Sequence, residues 1–208
     1  MTTPGNTCFL SFDDNYRSWL QTLPILERYR VRATFYVNSW PFRDRVSETD
    51  VRHYIENAGL TNVGPEAETT LSTAELREIA VAGHLIGAHT HTHRVLTALP
   101  PETARDEIRI SREELGALLN RPPEHFAYPF GMRRHFSRPL RRYCRSIGFA
   151  TIANAIPCMQ YAPSRPDSLH RSVWFLEQPL EFNLDNLCID GRLFSSLTGR
   201  SAVGGCSL

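Results

Sequence analysis

Short apolar runs alternate with stretches of helical spacing along most of this 208-residue chain, and that alternation leaves few folds open. TCFLSF (7–12), ATFYV (33–37), HLIGAHT (84–90), HFAYP (125–129), FATIA (149–153) and HRSVWFL (170–176) each suit a buried strand. Between them lie helical patterns. One begins near Tyr16 and places Trp19, Leu20, Leu23, Leu26 and Tyr29 near one face, with Pro24 set to kink or end it. Ser72 to Glu75 reads as a capping box that opens a helix running to about Ala82, and Gly83 stops it. A longer helix covers Pro101 to Asn120, with its prolines at the start. A basic helix runs from about Arg138 to Ser146 and ends near Gly148. Residues 38–70 and 157–167 read as loops, the first long enough to be a lid or a wall. Strand and helix in series predict an α/β fold with a parallel sheet. The length suits one domain over 1–208, with 176–208 as an atypical tail.

In such folds the chemistry sits past the carboxyl ends of the strands. Three groups fall there: Asp13-Asp14, the run His89-Thr90-His91-Thr92-His93, and Pro129-Phe130. Three of the chain's eight histidines lie within five residues, and neutral imidazole is the commonest protein ligand for zinc and similar metals. In extended backbone all three would share a face. In a helical turn, His89 and His93 would share one and His91 would point away. Two imidazoles leave a metal short of protein ligands, and Asp13-Asp14 supplies a carboxylate. Adjacent acids repel unless a cation or a shared proton relieves them. Neighbouring side chains diverge, so one can bind metal while the other faces a reacting water. Either aspartate could instead cap the helix that follows.

The charge balance removes other classes of partner. Twenty-three basic and 22 acidic residues give a net charge of +1, which makes no electrostatic case for nucleic acid or an anionic membrane. The arginines between Met132 and Arg145 read as a solvated helix face. No apolar run approaches the roughly 20 residues that cross a bilayer. The N-terminus has neither a charged n-region nor a long apolar h-region, so a cytoplasmic location is expected. Five scattered cysteines form no CxxC pair, and most read as buried thiols.

Taken with their order, these motifs resemble the polysaccharide deacetylases, the NodB-homology family. SFDDN is similar to the family's first motif and ATFYV to the strand after it. GHLIGAHTHTH resembles the second motif, His-(Ser/Thr)-x-x-His, and FAYPFG the third, so the likeness spans roughly residues 7 to 175. The resemblance implies a distorted (β/α) barrel of about seven strands. The small, glycine-rich end GRSAVGGCSL fits poorly as a closing strand, so the barrel is open to being incomplete at its C-terminus. It implies Asp13 as general base and Asp14, His89 and His93 as ligands of a divalent metal, Zn²⁺ first, with His91 outside the set. A backbone N–H near Pro129 and Phe130 would help hold the oxyanion. The implied reaction removes acetyl from an N-acetylated, or occasionally O-acetylated, carbohydrate. Trp40, Phe42 and Tyr54 read equally as sugar-stacking residues or as core.

The chain departs from the family pattern at three places. Asn15 replaces the usual glycine, and asparagine tolerates positive φ better than most residues. Ala127 stands where an arginine usually orients the base, leaving that task to another cation such as Arg171. No histidine follows Trp174, so His170 is the nearest candidate for the general acid. These gaps predict slow turnover of ordinary N-acetyl sugars. They also keep two other readings open: an amidase of small non-sugar amides within the same superfamily, and a metal-binding pseudoenzyme. An aspartate-nucleophile phosphatase ranks last, because Asn15 breaks the Asp-x-Asp pattern. A partner, such as a second copy, could replace the missing last strand.

Overall fold

The computed structural model describes residues 8–57, 69–157, 165–175 and 178–188. The chain divides into two compact units: Met1–His93 with Ser111–Pro123, and Arg94–Ile110 with Glu124–Leu208.

In the first unit, β1 (Leu10–Asp13), β2 (Ala33–Val37) and β3 (Leu85–Ala88) pair in parallel. The register sets Asp13 beside Tyr36 and Tyr36 beside Gly87. Two residues further along, the same register brings Asn15, Asn38 and His89 to one edge. This is the edge at which the sequence concentrates its polar residues, and the alignment follows from strand pairing alone. The expected strand at 7–12 is shifted: Thr7 lies outside the described residues, Cys8 and Phe9 are unpaired backbone, and the strand runs on through Asp13.

Helix α1 (Trp19–Arg28) packs Trp19 and Leu26 inward, and Trp19 meets Phe35 at 5.1 Å between ring centroids. It starts three residues later than the periodicity suggests. Ser18 is its N-cap position, so neither Asp13 nor Asp14 caps it. Pro24 lies inside and does not end it. Helix α3 (Thr73–Val81) opens with the expected capping box, Ser72 Oγ accepting from the Glu75 N–H and Glu75 Oε2 from the Ser72 N–H. Gly83 follows at φ +86°, where a Cβ would overlap the Arg32 guanidinium.

The reading of 38–70 as irregular needs correction. Helix α2 occupies Glu48–Asn57. Its start is another capping box: Ser47 Oγ accepts from the Asp50 N–H, and Asp50 Oδ2 accepts from the Ser47 N–H. The pattern Ser-x-x-Asp is weaker than Ser-x-x-Glu, and the mixed charge around it hides the two inward residues, Val51 and Tyr54. Residues 58–68 of that segment lie outside the described residues.

Helix α4 (Pro101–Leu119) matches its expected span within one residue and contributes to both units. In the second unit, β4 (His125–Ala127) and β5 (Thr151–Ala153) are parallel. Phe126, Phe136 and Phe149 cluster with centroids 5.1 and 5.9 Å apart. Tyr128 stacks on Phe136 at 4.5 Å, and burial pushes its phenol up to about 12. Helix α5 (Arg138–Ser146) begins at Ser137, whose Oγ accepts from the Leu140 N–H. Its arginines are mostly exposed, as a solvated face requires.

HRSVWFL is not a strand over its described residues, 170–175. Pairing with β5 is limited to a single bridge between Leu169 and Ala153. Further on, the amide of Asn183 exchanges hydrogen bonds with the Phe175 backbone at 2.8 and 2.9 Å. Asn183 belongs to α6 (Leu180–Cys188), a helix the sequence reading did not foresee in the tail. Most of that tail, 189–208, lies outside the described residues, as do 158–164 of the expected loop. The class is nonetheless α/β with parallel strands, and five strands among the described residues fit an incomplete barrel. None of its described helices is long and apolar enough to cross a membrane.

Candidate metal centre

Two turns past strand ends build the site, and both use unusual backbone. Asp14 and Asn15 have φ of +91° and +69°. Thr90 and His93 have φ of +69° and +60°. Left-handed conformations at non-glycine residues cost on the order of 1–3 kcal/mol each and persist only where the surroundings enforce them. Asn15 is completely buried and has the positive φ that glycine would otherwise supply.

Both turns point their side chains to one place. His89 Nε2 lies 3.2 Å and His93 Nε2 3.0 Å from Asp14 Oδ1. The two imidazoles, buried and 5.1 Å apart at their centroids, therefore converge on a single carboxylate oxygen. Asp14 Oδ1 is itself buried and has no partner in hydrogen-bond geometry among the described residues. Three atoms able to ligate a metal crowd together, and a cation or shared protons would relieve them. Two atoms each about 2.0–2.2 Å from a tetrahedral ion lie roughly 3.3 Å apart, close to the spacing here. The trio is a group of metal-ligating type, its ligand atoms all within 4.8 Å of one another. Burial opposes the charge on Asp14, but the two imidazoles outweigh it and hold the carboxyl well below the ordinary carboxylate range.

Asp13 stands beside this group without the same convergence. Its Oδ2 is 3.9 Å from His89 Nε2, and its side chain is 27% exposed, against 2% for His89. His91 turns elsewhere: its Nδ1 lies 2.8 Å from Ser39 Oγ and 3.2 Å from Glu114 Oε2. Burial raises the Glu114 carboxyl, but its contacts with His91 and Ser39 prevail and lower it.

Main-chain hydrogen bonds hold the histidine turn against the end of β2. The N–H groups of Ser39 and Trp40 donate to the carbonyls of Thr90 and His91, and that of His89 to Val37. Asn38, wholly buried, donates its amide to the carbonyls of His89 and Thr90. Tyr54 of α2 reaches in with its hydroxyl, 2.6 Å from the Asp14 carbonyl and 2.7 Å from Asn38 Oδ1. Burial pushes this phenol well above its ordinary range, so it stays protonated.

Asp13, Asp14, His89 and His93 thus lie close to one another. Pro129, Phe130 and His170 belong to the second unit. Phe130 has φ +63°, and Gly131 beside it has φ +62°. Arg171 donates Nε–H to the Asn154 carbonyl at 2.9 Å, and Ala127 is buried in β4. Phe42 and Tyr54 prove to be core residues, which removes them as sugar-stacking candidates, while Trp40 is half-buried. Sequence reading missed Asn38, Ser39, Tyr54 and Glu114. Asn38-Ser39 directly after ATFYV was a readable signal, a polar pair past a strand end. Tyr54 and Glu114 carry none, because their role depends on which helix face turns inward.

A family model described as polysaccharide deacetylase matches residues 1–152. No curated protein sequence matches the chain. Among solved structures, the chain is similar to the deacetylase PplD of Streptococcus pyogenes, solved in complex with acetate. That match has a TM-score of 0.64 and 19% identity, and covers 86% of this chain and 69% of the other. IcaB from Ammonifex degensii matches with a TM-score of 0.64 at 16% identity, over 90% of this chain and 76% of that one. BC0361, a polysaccharide deacetylase from Bacillus cereus, matches with a TM-score of 0.60 at 19% identity, over 86% of this chain and 50% of its own. At these identities the likeness is one of fold.

Proposed function

Because the chain belongs to the polysaccharide deacetylase family, we propose that it is a metal-dependent hydrolase removing acetyl groups from N-acetylated or O-acetylated carbohydrate. The observation that carries this reading is the convergence of Asp14, His89 and His93 on one point. These three residues would hold a divalent ion, zinc being the first candidate for two imidazoles and a carboxylate. Such an ion, when bound, polarises an acetyl carbonyl and acidifies a water. Three protein ligands leave room for both.

The chain's own groups do the rest. Asp13, close to the trio and partly exposed, takes the proton of the attacking water as general base. Asp14 stays ionised, since its carboxyl is held low. Cleavage of an amide then needs a proton on the departing nitrogen. His170 is the candidate for that role. Esters suffer less from a missing acid, because an alkoxide leaves more readily than an amide anion. His170→Ala should therefore slow N-acetyl substrates more than matched O-acetyl ones.

The test is elemental analysis of the purified parent, Asp14→Ala and His93→Ala, alongside acetate release from acetylated oligosaccharides. The parent should hold one divalent ion per chain and both variants should lose it together with turnover. Full metal occupancy in both variants would sink the assignment. His91→Ala should keep the ion, because that imidazole engages Ser39 and Glu114.

A further inference from the structure

Two buried polar side chains beside the trio, Tyr54 and Asn38, grip its main chain. Tyr54 Oη lies 2.6 Å from the carbonyl oxygen of Asp14. Asn38 Nδ2 faces the carbonyl of His89, the carbonyl of Thr90 at 3.3 Å and Thr90 Oγ1 at 3.4 Å. Three acceptors around one nitrogen fix the orientation of that amide, so its Oδ1 faces Tyr54 at 2.7 Å. One phenolic proton is therefore shared between Asp14 O and Asn38 Oδ1. The Asn38 carbonyl in turn accepts from Asn15 Nδ2 at 3.2 Å. The result is a closed circuit from Asp14 through Tyr54, Asn38 and Asn15 back to Asp14, with the Asn38 amide branching to the His89 carbonyl. Asn15 and Asn38 are fully buried and Tyr54 is 4% exposed, so water does not substitute for a lost link.

We propose that Tyr54 and Asn38 are positioning residues that set the Asp14–His89 geometry for the metal before any ion arrives. The inference rests on the metal-binding reading above and goes beyond it, because Tyr54 comes from α2, a helix outside the motifs that suggested the site. The argument is geometric. Asp14 and His89, each just past the end of a different strand, are joined through their carbonyls, which fixes where each Cβ begins. The turn at Asp14 and Asn15 is left-handed twice over and does not hold itself. Without the Tyr54 hydroxyl, the Asp14 carbonyl and the buried Asn38 Oδ1 lose this donor and the turn is free to relax away from His89.

Cobalt(II) is a suitable probe, because its visible absorption reports ligand geometry as well as binding. Tyr54→Phe removes the hydroxyl and keeps the ring, which packs edge-on to His93 at 6.4 Å. It should weaken Co²⁺ binding by about 10-fold or more, within the 10–100-fold usual for groups that orient metal ligands, and should alter the spectrum. Val51→Ala is the control. Val51 is buried on the same helix but apolar, so it should lower the melting temperature and leave cobalt affinity and spectrum unchanged. If Tyr54→Phe does not fold, Asn38→Asp takes its place. An added negative charge alone would tighten cobalt, so weaker binding there isolates the lost amide. Parent affinity and spectrum in whichever variant folds would overturn the proposal, as would equal weakening by Val51→Ala. A parent chain that fails to bind cobalt would overturn the metal reading itself and this inference with it.

Discussion

The two units hold the turns past their strand ends by different means. In the first, the turns after β1 and β3 are tied by buried hydrogen bonds through Asn15, Asn38 and Tyr54. In the second, the turn after β4 is held by close packing. Gly131 sits so near Ala155 that a Cβ would overlap it, and its carbonyl accepts from the Ala155 N–H at 3.1 Å. Aromatic rings of the same unit, Phe126, Phe136 and Phe149, cluster in its core. A polar network specifies directions, whereas packing specifies distances. The first suits a cluster of metal-ligating atoms, whose lone pairs must converge. The second suits a scaffold.

The largest effect that separates these two kinds of construction should be catalytic and confined to the first unit. Asp13→Asn keeps the shape of the side chain and removes its basicity. Turnover should fall by about 10² to 10⁴, the usual worth of general acid–base catalysis. Metal content should stay near that of the parent, because Asp13 does not share the convergence of Asp14. Joint loss of metal and activity would reverse the roles of the two aspartates.

Stability changes come next, and in the packed unit they should fall on the core and on the tight turn. Phe126 is completely buried, and Phe126→Ala should cost about 3–5 kcal/mol in chemical denaturation. Gly131→Ala should cost about 1–3 kcal/mol, from a strained positive φ and the overlap with Ala155. A neutral result for Gly131→Ala would mean that the turn shifts freely, and the contrast between the units would lose its basis.

What was legible in the sequence follows the same division. Local chemistry wrote itself plainly: the Ser72–Glu75 box, the strand ATFYV, the aspartate pair and the histidine run all stand where the residues suggest. The candidate residues Asp14 and His89 were readable because each directly follows a strand, and the register carries those strand ends to one edge. Tyr54 was not, because its role arises when α2 turns a buried face toward a turn 40 residues earlier. Glu114 was hidden for the same reason, inside a long helix with many charges. HRSVWFL misled because its composition fits a strand, while the described chain there has one bridge to β5 and then meets Asn183. Composition reports propensity; pairing depends on whether an edge is offered.

The smallest expected effect tests how far the polar style of the first unit reaches beyond the site. Glu75 joins the capping box of α3 to two arginines, with Arg17 at 3.0 Å and Arg43 at 2.7 Å. Burial raises its carboxyl, but the Ser72 backbone N–H and the two guanidiniums prevail and bring it down to about 2, from an ordinary 4.5. A carboxyl lowered on folding contributes stability that is fully present above its unfolded value. That contribution disappears as pH falls from about 4.5 toward about 2. The arginine side chains are 51% and 36% exposed, so solvent screens the pairing, and the contribution at neutral pH is on the order of 1 kcal/mol. Glu75→Gln should therefore melt a few degrees lower than the parent at pH 7, roughly 2–4 °C for a chain of this size. The gap should narrow through pH 4 and close near pH 2, since every other carboxyl titrates alike in both proteins. High salt should shrink the gap at pH 7 by weakening the arginine pairs while sparing the hydrogen bond to Ser72. A gap that stays constant from pH 7 to pH 2 would assign Glu75 a purely geometric capping role, with its charge contributing nothing.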